Sequence, residues 1–223
     1  MPINFLKSFA QKLIEAEVHC QWTGELKFEK SLLKDNRLEL LYQSGLRKLI
    51  FGMESYNQRV LDSMDKGCPV EVIDQTVSEC IRIGIGMHLY LICGFPTETR
   101  EEVLDSINFV LDNPAMVESP GFSCILSLFD LERGAPLEKK PERWKITQLH
   151  VPPNHDLALG YSYEASVGLT ADEATALYQE MVKKLSEKVK TFPHNYSLSD
   201  GLLYLGYHEQ ENIQERLASL VLA

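Results

Sequence analysis

The chain has 223 residues, 44% of them apolar and 24% charged, which is the composition of a globular protein with one α/β domain or one domain and an appendage. Its net charge of −10 argues against a nucleic-acid-binding surface, because neutralising phosphates requires clustered lysine and arginine. No apolar run reaches the length of a membrane span, and residues 1–4 lack a signal-peptide pattern, so we expect a cytoplasmic protein.

The cysteines and histidines show no local pattern of metal ligands. The five cysteines are widely scattered, without the close pairing that metal sites favour, and the six histidines form no H-x-x-x-H pair. We therefore expect buried or free thiols in a reducing compartment and no metal site contained in this chain. The cysteines are Cys20, Cys68, Cys80, Cys93 and Cys124.

The first predicted elements are an amphipathic helix and a strand with two different faces. Residues 2–17 place Leu6, Phe9 and Leu13 at helical spacing. In residues 22–29, apolar side chains and glycine alternate with charged or polar ones, which predicts one apolar and one charged face. Such a strand either lies at the edge of a sheet with its charged face in solvent or lines a polar barrel interior.

A second strand follows and ends on a carboxylate. A helix over 35–44 leads into a strand over 47–54, which is apolar on both faces, as in a covered parallel sheet. The strand stops at Glu54, and the sequence from Ser55 matches a capping box that predicts a short helix over 57–65.

Helices and strands continue to alternate up to about residue 129. The remaining elements of this part are a helix over 69–84, a strand over 86–93, a helix from 99 to 113 and a strand over 122–129. This order predicts a parallel sheet with right-handed crossovers. The predicted fold class is α/β, as a partial (β/α) TIM-type barrel over residues 1–137, with a doubly wound sheet as the alternative.

After about residue 131 the composition changes, and glycine and proline mark a loop-rich connector. A capping box at Thr170 predicts a helix to about residue 190, followed by an apolar segment over 202–208 and an amphipathic helix over about 210–221. We therefore predict a mainly helical C-terminal extension over 138–223 that packs on the barrel.

The candidate functional residues lie where strands meet their following helices, which is where parallel α/β folds bind ligands. Glu54 and Gly94 occupy such positions. The turn after Gly94 precedes a helix N-terminus, but Pro96 and the acidic residues that follow argue against a phosphate site. Glu54 is either a carboxylate that accepts hydrogen bonds from a ligand or a salt-bridged residue in the barrel mouth, and capping alone would explain Ser55.

Several segments resemble motifs of the radical S-adenosylmethionine (radical SAM) enzymes. Gly52-Met53-Glu54-Ser55 resembles the "G-x-E-S" turn that ends their fourth strand, and residues 60–67 resemble its continuation. Residues 91–102 resemble the fifth-strand segment "G-f-P-x-E-T-x-E-E", and residues 22–29 resemble the third strand. The resemblance covers residues 1–137 and is nearest to the branch that often carries a cobalamin-binding domain ahead of the barrel.

The resemblance implies roles in binding S-adenosylmethionine. Glu54 matches the residue that commonly bonds the ribose, and Ser55 follows it in the same turn. Ile92 and Gly94 match the strand that flanks the adenine. Lys27 lies where relatives often place a basic residue near the methionine carboxylate.

One family feature is missing from the sequence. Radical SAM enzymes hold a [4Fe–4S] cluster with a C-x-x-x-C-x-x-C motif, which this chain does not contain. The chain therefore resembles the C-terminal part of a radical SAM, iron–sulfur-dependent enzyme of the Fe–S oxidoreductase type. In the full-length family the cofactors are S-adenosylmethionine, the cluster and, through an N-terminal domain, cobalamin. We expect this chain alone to be inactive.

Two other functions remain open from the sequence. The chain could be a non-catalytic α/β partner of a separate cluster-bearing subunit, or an unrelated (β/α)-barrel enzyme that uses Glu54 and His88 in acid–base catalysis. In either partial-barrel hypothesis the strand over 22–29 lacks a neighbour. Because an unpaired edge invites association, we expect a homodimer or another assembly across it, or a covering by the C-terminal tail.

Overall fold

A parallel four-stranded sheet organises the computed structural model, which describes residues 3–150 and 160–189. The strands lie in the order β1-β2-β3-β4, and each neighbouring pair is parallel. This confirms the predicted α/β fold with a parallel sheet. The strands are β1 Trp22–Leu26, β2 Leu46–Glu54, β3 Gly86–Cys93 and β4 Ser123–Leu128.

Helices connect the strands at the positions that the sequence predicts, except that a short helix just before β4 was not predicted. Gly84 ends the long helix before β3, and the capping box at Thr99 begins the helix after it. The short helix after β2 has a different N-cap from the predicted one, since Asn57, rather than Ser55, accepts a hydrogen bond from the Val60 amide. The helices are α1 Ile3–Glu15, α2 Arg37–Gln43, α3 Gln58–Ser63, α4 Val70–Ile83, α5 Arg100–Leu111 and α6 Pro114–Val117.

The two faces of the sheet differ in burial. On the helix-covered face, side chains from β2, β3 and β4 are buried, and the Phe51 ring stacks on Phe28 with 4.2 Å between centroids. Each such side chain contributes roughly 1.5–3 kcal/mol to folding. The buried set on this face includes Leu49, Phe51, Met53, Met87, Leu89, Leu91, Cys93, Cys124 and Leu126. The opposite face carries partly exposed residues such as Ile50, Gly52 and Ile92.

Strand β1 has the predicted edge position. Leu26 and Phe28 are buried, whereas Glu25, Lys27 and Glu29 are exposed. Within residues 3–150 and 160–189, the sheet order gives β1 one strand neighbour, β2. The edge and the charged face therefore occur together, as expected of a strand that meets solvent.

The extension contains a second sheet that the sequence analysis did not predict. Where a loop-rich connector in a mainly helical extension was expected, three short strands form an antiparallel sheet in the order β5-β7-β6. The strand signal was present in β7, where Tyr161 and Tyr163 alternate with Ser162 and Glu164. These elements are β5 Leu131–Glu132, α7 Pro136–Lys139, a 3-10 helix Pro141–Trp144, β6 Ile146–His150 and β7 Gly160–Ala165.

The last described element is helix α8, Ala171–Lys188, which begins at the predicted Thr170 capping box. Its apolar side packs against β3, β4 and α5 through Ala174, Leu177 and Met181. The predicted segments 202–208 and 210–221 lie outside the described residues. In the part of the chain that the structure describes, no helix is both long and apolar enough to cross a membrane.

Candidate functional site

The backbone at the end of β2 is strained. The pairing of β2 with β3 shifts register between Gly52 and Glu54, and Glu54 has a φ of +63°. A left-handed conformation at a residue other than glycine costs on the order of 1–3 kcal/mol, and such residues cluster at functional sites. A bulge at a strand end also redirects side chains. The position singled out by sequence is therefore also a structural outlier.

The Glu54 carboxylate forms an ion pair that sequence analysis missed. Its Oε1 lies 2.7 Å from Lys66 Nζ, and the two side chains keep 15% and 27% of their surface exposed. The carboxylate folds back over Gly52, where a Cβ would lie 2.6 Å from Oε1. Lys66 belongs to the segment 60–67, so the ion pair links this segment to the turn 52–55, and both resemble radical SAM motifs. The salt-bridge interpretation of Glu54 is thus observed, and the pair remains accessible to a ligand.

The turn after β3 lies beside this pair, since Glu54 pairs with Leu91 in the sheet. Gly94 has a φ of +84°, a conformation that glycine adopts without steric cost. The buried Glu98 carboxylate accepts hydrogen bonds through Oε2 from the amides of Gly94, at 2.8 Å, and Phe95, at 3.2 Å. Burial raises the pKa of Glu98 to about 7.

These hydrogen bonds bear on the phosphate hypothesis. A phosphate cradle needs free amides at the helix N-terminus, but Glu98 already occupies those of Gly94 and Phe95. Beside the turn, the partly exposed Ile92 packs against a buried apolar cluster that contains Phe95 and Trp144. The contacts of Glu98 argue against a phosphate at this turn.

Arg59 supports the same turn from helix α3. Its guanidinium donates to the Thr97 carbonyl at 2.9 Å and to Thr97 Oγ1 at 3.1 Å, and it pairs with Glu102. Thr97 has a φ of +75°, which is uncommon for a β-branched residue. A second strained residue therefore lies at the carboxyl edge of the sheet.

The other two predicted site residues, Ser55 and Lys27, occupy different environments. Ser55 is fully buried, and its Oγ is 3.2 Å from Ser106 Oγ in α5 and accepts from the Asn57 amide, so its side chain faces α5 and not the mouth. Lys27 is exposed in the segment that follows β1. The structure thus places Glu54 and Lys66 beside Ile92, and Gly94 follows two residues later, just after the end of β3; we call these four residues the mouth.

His88 lies toward the opposite end of the sheet. It pairs with Ile50, four residues before Glu54 in β2, which is a separation of about 10 Å or more along a strand. Its Nδ1 is 2.7 Å from Ser123 Oγ, which also accepts from Lys48 Nζ at 2.9 Å. Burial lowers the pKa of Lys48 to about 8, and burial with the Lys48 charge lowers that of His88 to about 4. Glu54 and His88 therefore do not form the acid–base pair that an unrelated (β/α)-barrel enzyme would need.

The described cysteines do not fit an iron–sulfur cluster. Cluster iron binds deprotonated thiolates that converge on one site. Burial raises the pKa of Cys80, Cys93 and Cys124 to about 12, so these thiols keep their protons. No group of three or more His, Cys, Asp or Glu in residues 3–150 and 160–189 has the geometry of a metal site.

Comparison with known proteins relates the fold to radical SAM enzymes. No protein-family model matches the sequence. Over 126 residues the chain is 27% identical to the bacteriochlorophyllide d C-12(1)-methyltransferase of Chlorobaculum tepidum, a match that covers 55% of this chain and 27% of that protein.

Two solved structures have a similar fold. The radical S-adenosylmethionine methyltransferase TsrM from Kitasatospora setae, with cobalamin and a [4Fe–4S] cluster bound, matches with a TM-score of 0.60 and 16% identity over 92% of this chain and 45% of its own. Coproporphyrinogen III oxidase (HemN) from Escherichia coli, a radical SAM enzyme, matches with a TM-score of 0.54 and 15% identity over 84% and 38%. The structural neighbours are thus radical SAM enzymes, as the motifs predict, and the chain spans less than half of each of these proteins.

Proposed function

We propose that the chain is the C-terminal part of a radical SAM, iron–sulfur-dependent enzyme and supplies part of the S-adenosylmethionine-binding surface. One observation carries this proposal: a strained Glu54, paired with Lys66, lies beside the apolar turn of Ile92 and Gly94. A carboxylate, an ammonium and a neighbouring apolar side chain are groups that can bind a nucleoside with an amino-acid tail.

The mouth residues would contact different parts of S-adenosylmethionine. Glu54 would accept a hydrogen bond from a ribose hydroxyl, and Ile92 with the Gly94 turn would contact the adenine. Lys66, which lies 2.7 Å from Glu54, would be a second candidate beside Lys27 for contacting the methionine carboxylate. Bound S-adenosylmethionine would supply a sulfonium for radical or methyl-transfer chemistry, and the cluster would be held by residues outside this sequence.

The remaining parts of the proposal follow the same resemblance. Four parallel strands with covering helices would form part of a (β/α) barrel over residues 1–137, extended by residues 138–223. Cobalamin, bound in the TsrM structure, would be held by a domain other than the one described. We place the protein in the cytoplasm, where an exposed thiol such as Cys20 stays reduced.

Calorimetric titration of S-adenosylmethionine into the wild type and Glu54→Ala tests the mouth. Hydrogen bonds to a charged group are worth about 1.5–3 kcal/mol, so we expect binding to weaken by about tenfold or more. Glu101→Ala, which removes an exposed carboxylate from α5, is the matched control and should bind as the wild type does. Identical isotherms for the wild type and Glu54→Ala would remove Glu54 from the nucleoside site.

The edge of β1 supports a proposal about assembly. A parallel edge strand with a charged face, next to the exposed Phe9 that meets Trp22 edge-on, is a surface that a partner would cover. We propose a homodimer or an assembly with a cluster-bearing chain across residues 22–29. Light scattering gives the mass, and hydrogen exchange gives the protection of these amides; a monomer with freely exchanging amides there would contradict the proposal.

A further inference from the structure

The C-terminal extension contacts the turn that forms one side of the mouth. The Tyr163 hydroxyl, in β7, donates a hydrogen bond to the Gly94 carbonyl at 3.0 Å, across 69 positions of sequence. The Gly94 amide donates to Glu98 Oε2 at 2.8 Å. Both polar groups of the Gly94 backbone are therefore engaged within the protein, the amide by Glu98 in the same turn and the carbonyl by the extension.

An aromatic cluster fixes the direction of the Tyr163 ring. It meets Phe129 edge-on, with 6.0 Å between centroids, and Phe129 meets Phe95 in the same way at 5.2 Å. Burial, with the negative charges of Glu98 and Asp130, raises the pKa of Tyr163. The hydroxyl consequently keeps its proton and remains a donor.

Helix α8 and the residues before it close the other side of the turn. The Leu169 amide donates to the Glu98 carbonyl at 2.9 Å. Ala174 packs directly on Gly94, where an added Cβ would lie 2.8 Å from the Ala174 Cβ. The extension thus contacts the turn through β7, through α8 and through the segment between them. The position of the Gly94 backbone therefore depends on contacts with the extension.

We propose that Tyr163 is a positioning residue for the mouth, whose hydroxyl sets the orientation of the Gly94 carbonyl and thereby the shape of the surface that meets the nucleoside. This inference rests on the proposed function, and it assigns to the extension a part in ligand binding without contact with the ligand. If the ring served packing alone, a phenylalanine would replace it, because only the hydroxyl reaches Gly94.

The test uses the full chain with Tyr163→Phe and the matched control Tyr161→Phe. Tyr161 lies two residues away in the same strand, and its hydroxyl bonds Glu138 and not the turn. Two measurements are made: the carbonyl carbon resonance of Gly94, detected through the Phe95 amide in an HNCO spectrum, and the affinity for S-adenosylmethionine by calorimetry.

We expect Tyr163→Phe to move the Gly94 carbonyl resonance upfield and to weaken S-adenosylmethionine binding about three- to tenfold, the value of one hydrogen bond. Tyr161→Phe should match the wild type in both. An unchanged Gly94 resonance, or a changed resonance with wild-type affinity, would overturn the positioning role. If the wild type binds no S-adenosylmethionine, the proposed function fails and the positioning role with it, whereas binding that depends on Glu54 but not on Tyr163 overturns the positioning role alone.

Discussion

The two ends of the central sheet are built in opposite ways. At the carboxyl end, Glu54 and Thr97 adopt left-handed conformations, and the ion pair between Glu54 and Lys66 stays partly exposed. At the amino end, Ser123 joins Lys48 and His88 in a cluster whose hydrogen bonds are 2.7 and 2.9 Å long. Strain with exposure indicates a binding function, whereas satisfied burial indicates stability. The comparison therefore assigns different tasks to polar residues on one sheet.

The two ends should also respond to pH in opposite directions. Glu98 has a pKa raised from 4.5 to about 7, so its contribution to stability is fully present below pH 4.5 and is lost as the pH rises through about 7. His88 has a pKa lowered from 6.5 to about 4, so its contribution is present above pH 6.5 and is lost as the pH falls through about 4. Substituting one group at a time separates the two effects.

The largest expected effect is that of Glu98→Gln. The glutamine still accepts from the Gly94 amide but does not ionise, so the variant should lack the loss of stability that ionisation causes in the wild type. As the pH rises from 4.5 to 8, the unfolding free energy of the variant should increase by about 3 kcal/mol relative to that of the wild type. Urea unfolding at several pH values measures it.

The neighbours of Glu98 define the control for this titration. Arg59, Glu102, Tyr163 and Cys93 face it from α3, α5, β7 and β3. Glu101→Gln, one position before Glu102 and exposed, should leave the pH dependence of the wild type unchanged. If the unfolding free energies of Glu98→Gln and the wild type changed with pH in parallel, Glu98 would have an ordinary pKa. The carboxyl end would then not show the pH dependence that distinguishes it from the amino end.

The next effect tests the amino end. Ser123→Ala removes an acceptor from Lys48 and a partner from His88, so we expect a loss of about 1–3 kcal/mol in unfolding free energy. Ser127→Ala lies on the same face of β4 but is exposed, so it should change stability by less than about 0.5 kcal/mol. S-adenosylmethionine affinity should be unaffected in Ser123→Ala, because Ser123 lies at the amino end, away from the mouth. Ser127 pairs with Ile92 in the sheet, so Ser127→Ala is a control for stability alone. Weaker binding in Ser123→Ala would show that the amino end takes part in the site.

Much of the fold could be predicted because its signals are local. The capping boxes at Thr99 and Thr170, the stop at Gly84 and the apolar strand β3 are each encoded within a few residues. The antiparallel sheet of the extension was missed, since β5 has only two residues and glycine and proline surround the others.

The site was predicted only in part because its decisive contacts are not local. Glu54 could be singled out as a carboxylate ending a buried strand, but its pairing with Lys66 depends on a bulge and a left-handed residue. The bond from Tyr163 to Gly94 joins two sheets across 69 positions, which no periodicity reveals. Ser55 was assigned as a cap, whereas Asn57 caps α3 and Ser55 faces Ser106.

The smallest expected effect is that of Arg59→Lys at the carboxyl end. Arg59 bonds both Thr97 and Glu102 with a planar fork that lysine lacks, but it is half exposed, and exposed ion pairs contribute only about 0–1 kcal/mol. We therefore expect a loss below about 1 kcal/mol in urea unfolding, with faster hydrogen exchange confined to the turn around Thr97. Arg100→Lys, which alters an exposed pair with Glu180 outside the turn, is the control. If Arg59→Lys cost as much as Ser123→Ala, the strained turn would depend on that ion pair, and exposure would no longer distinguish the two ends of the sheet.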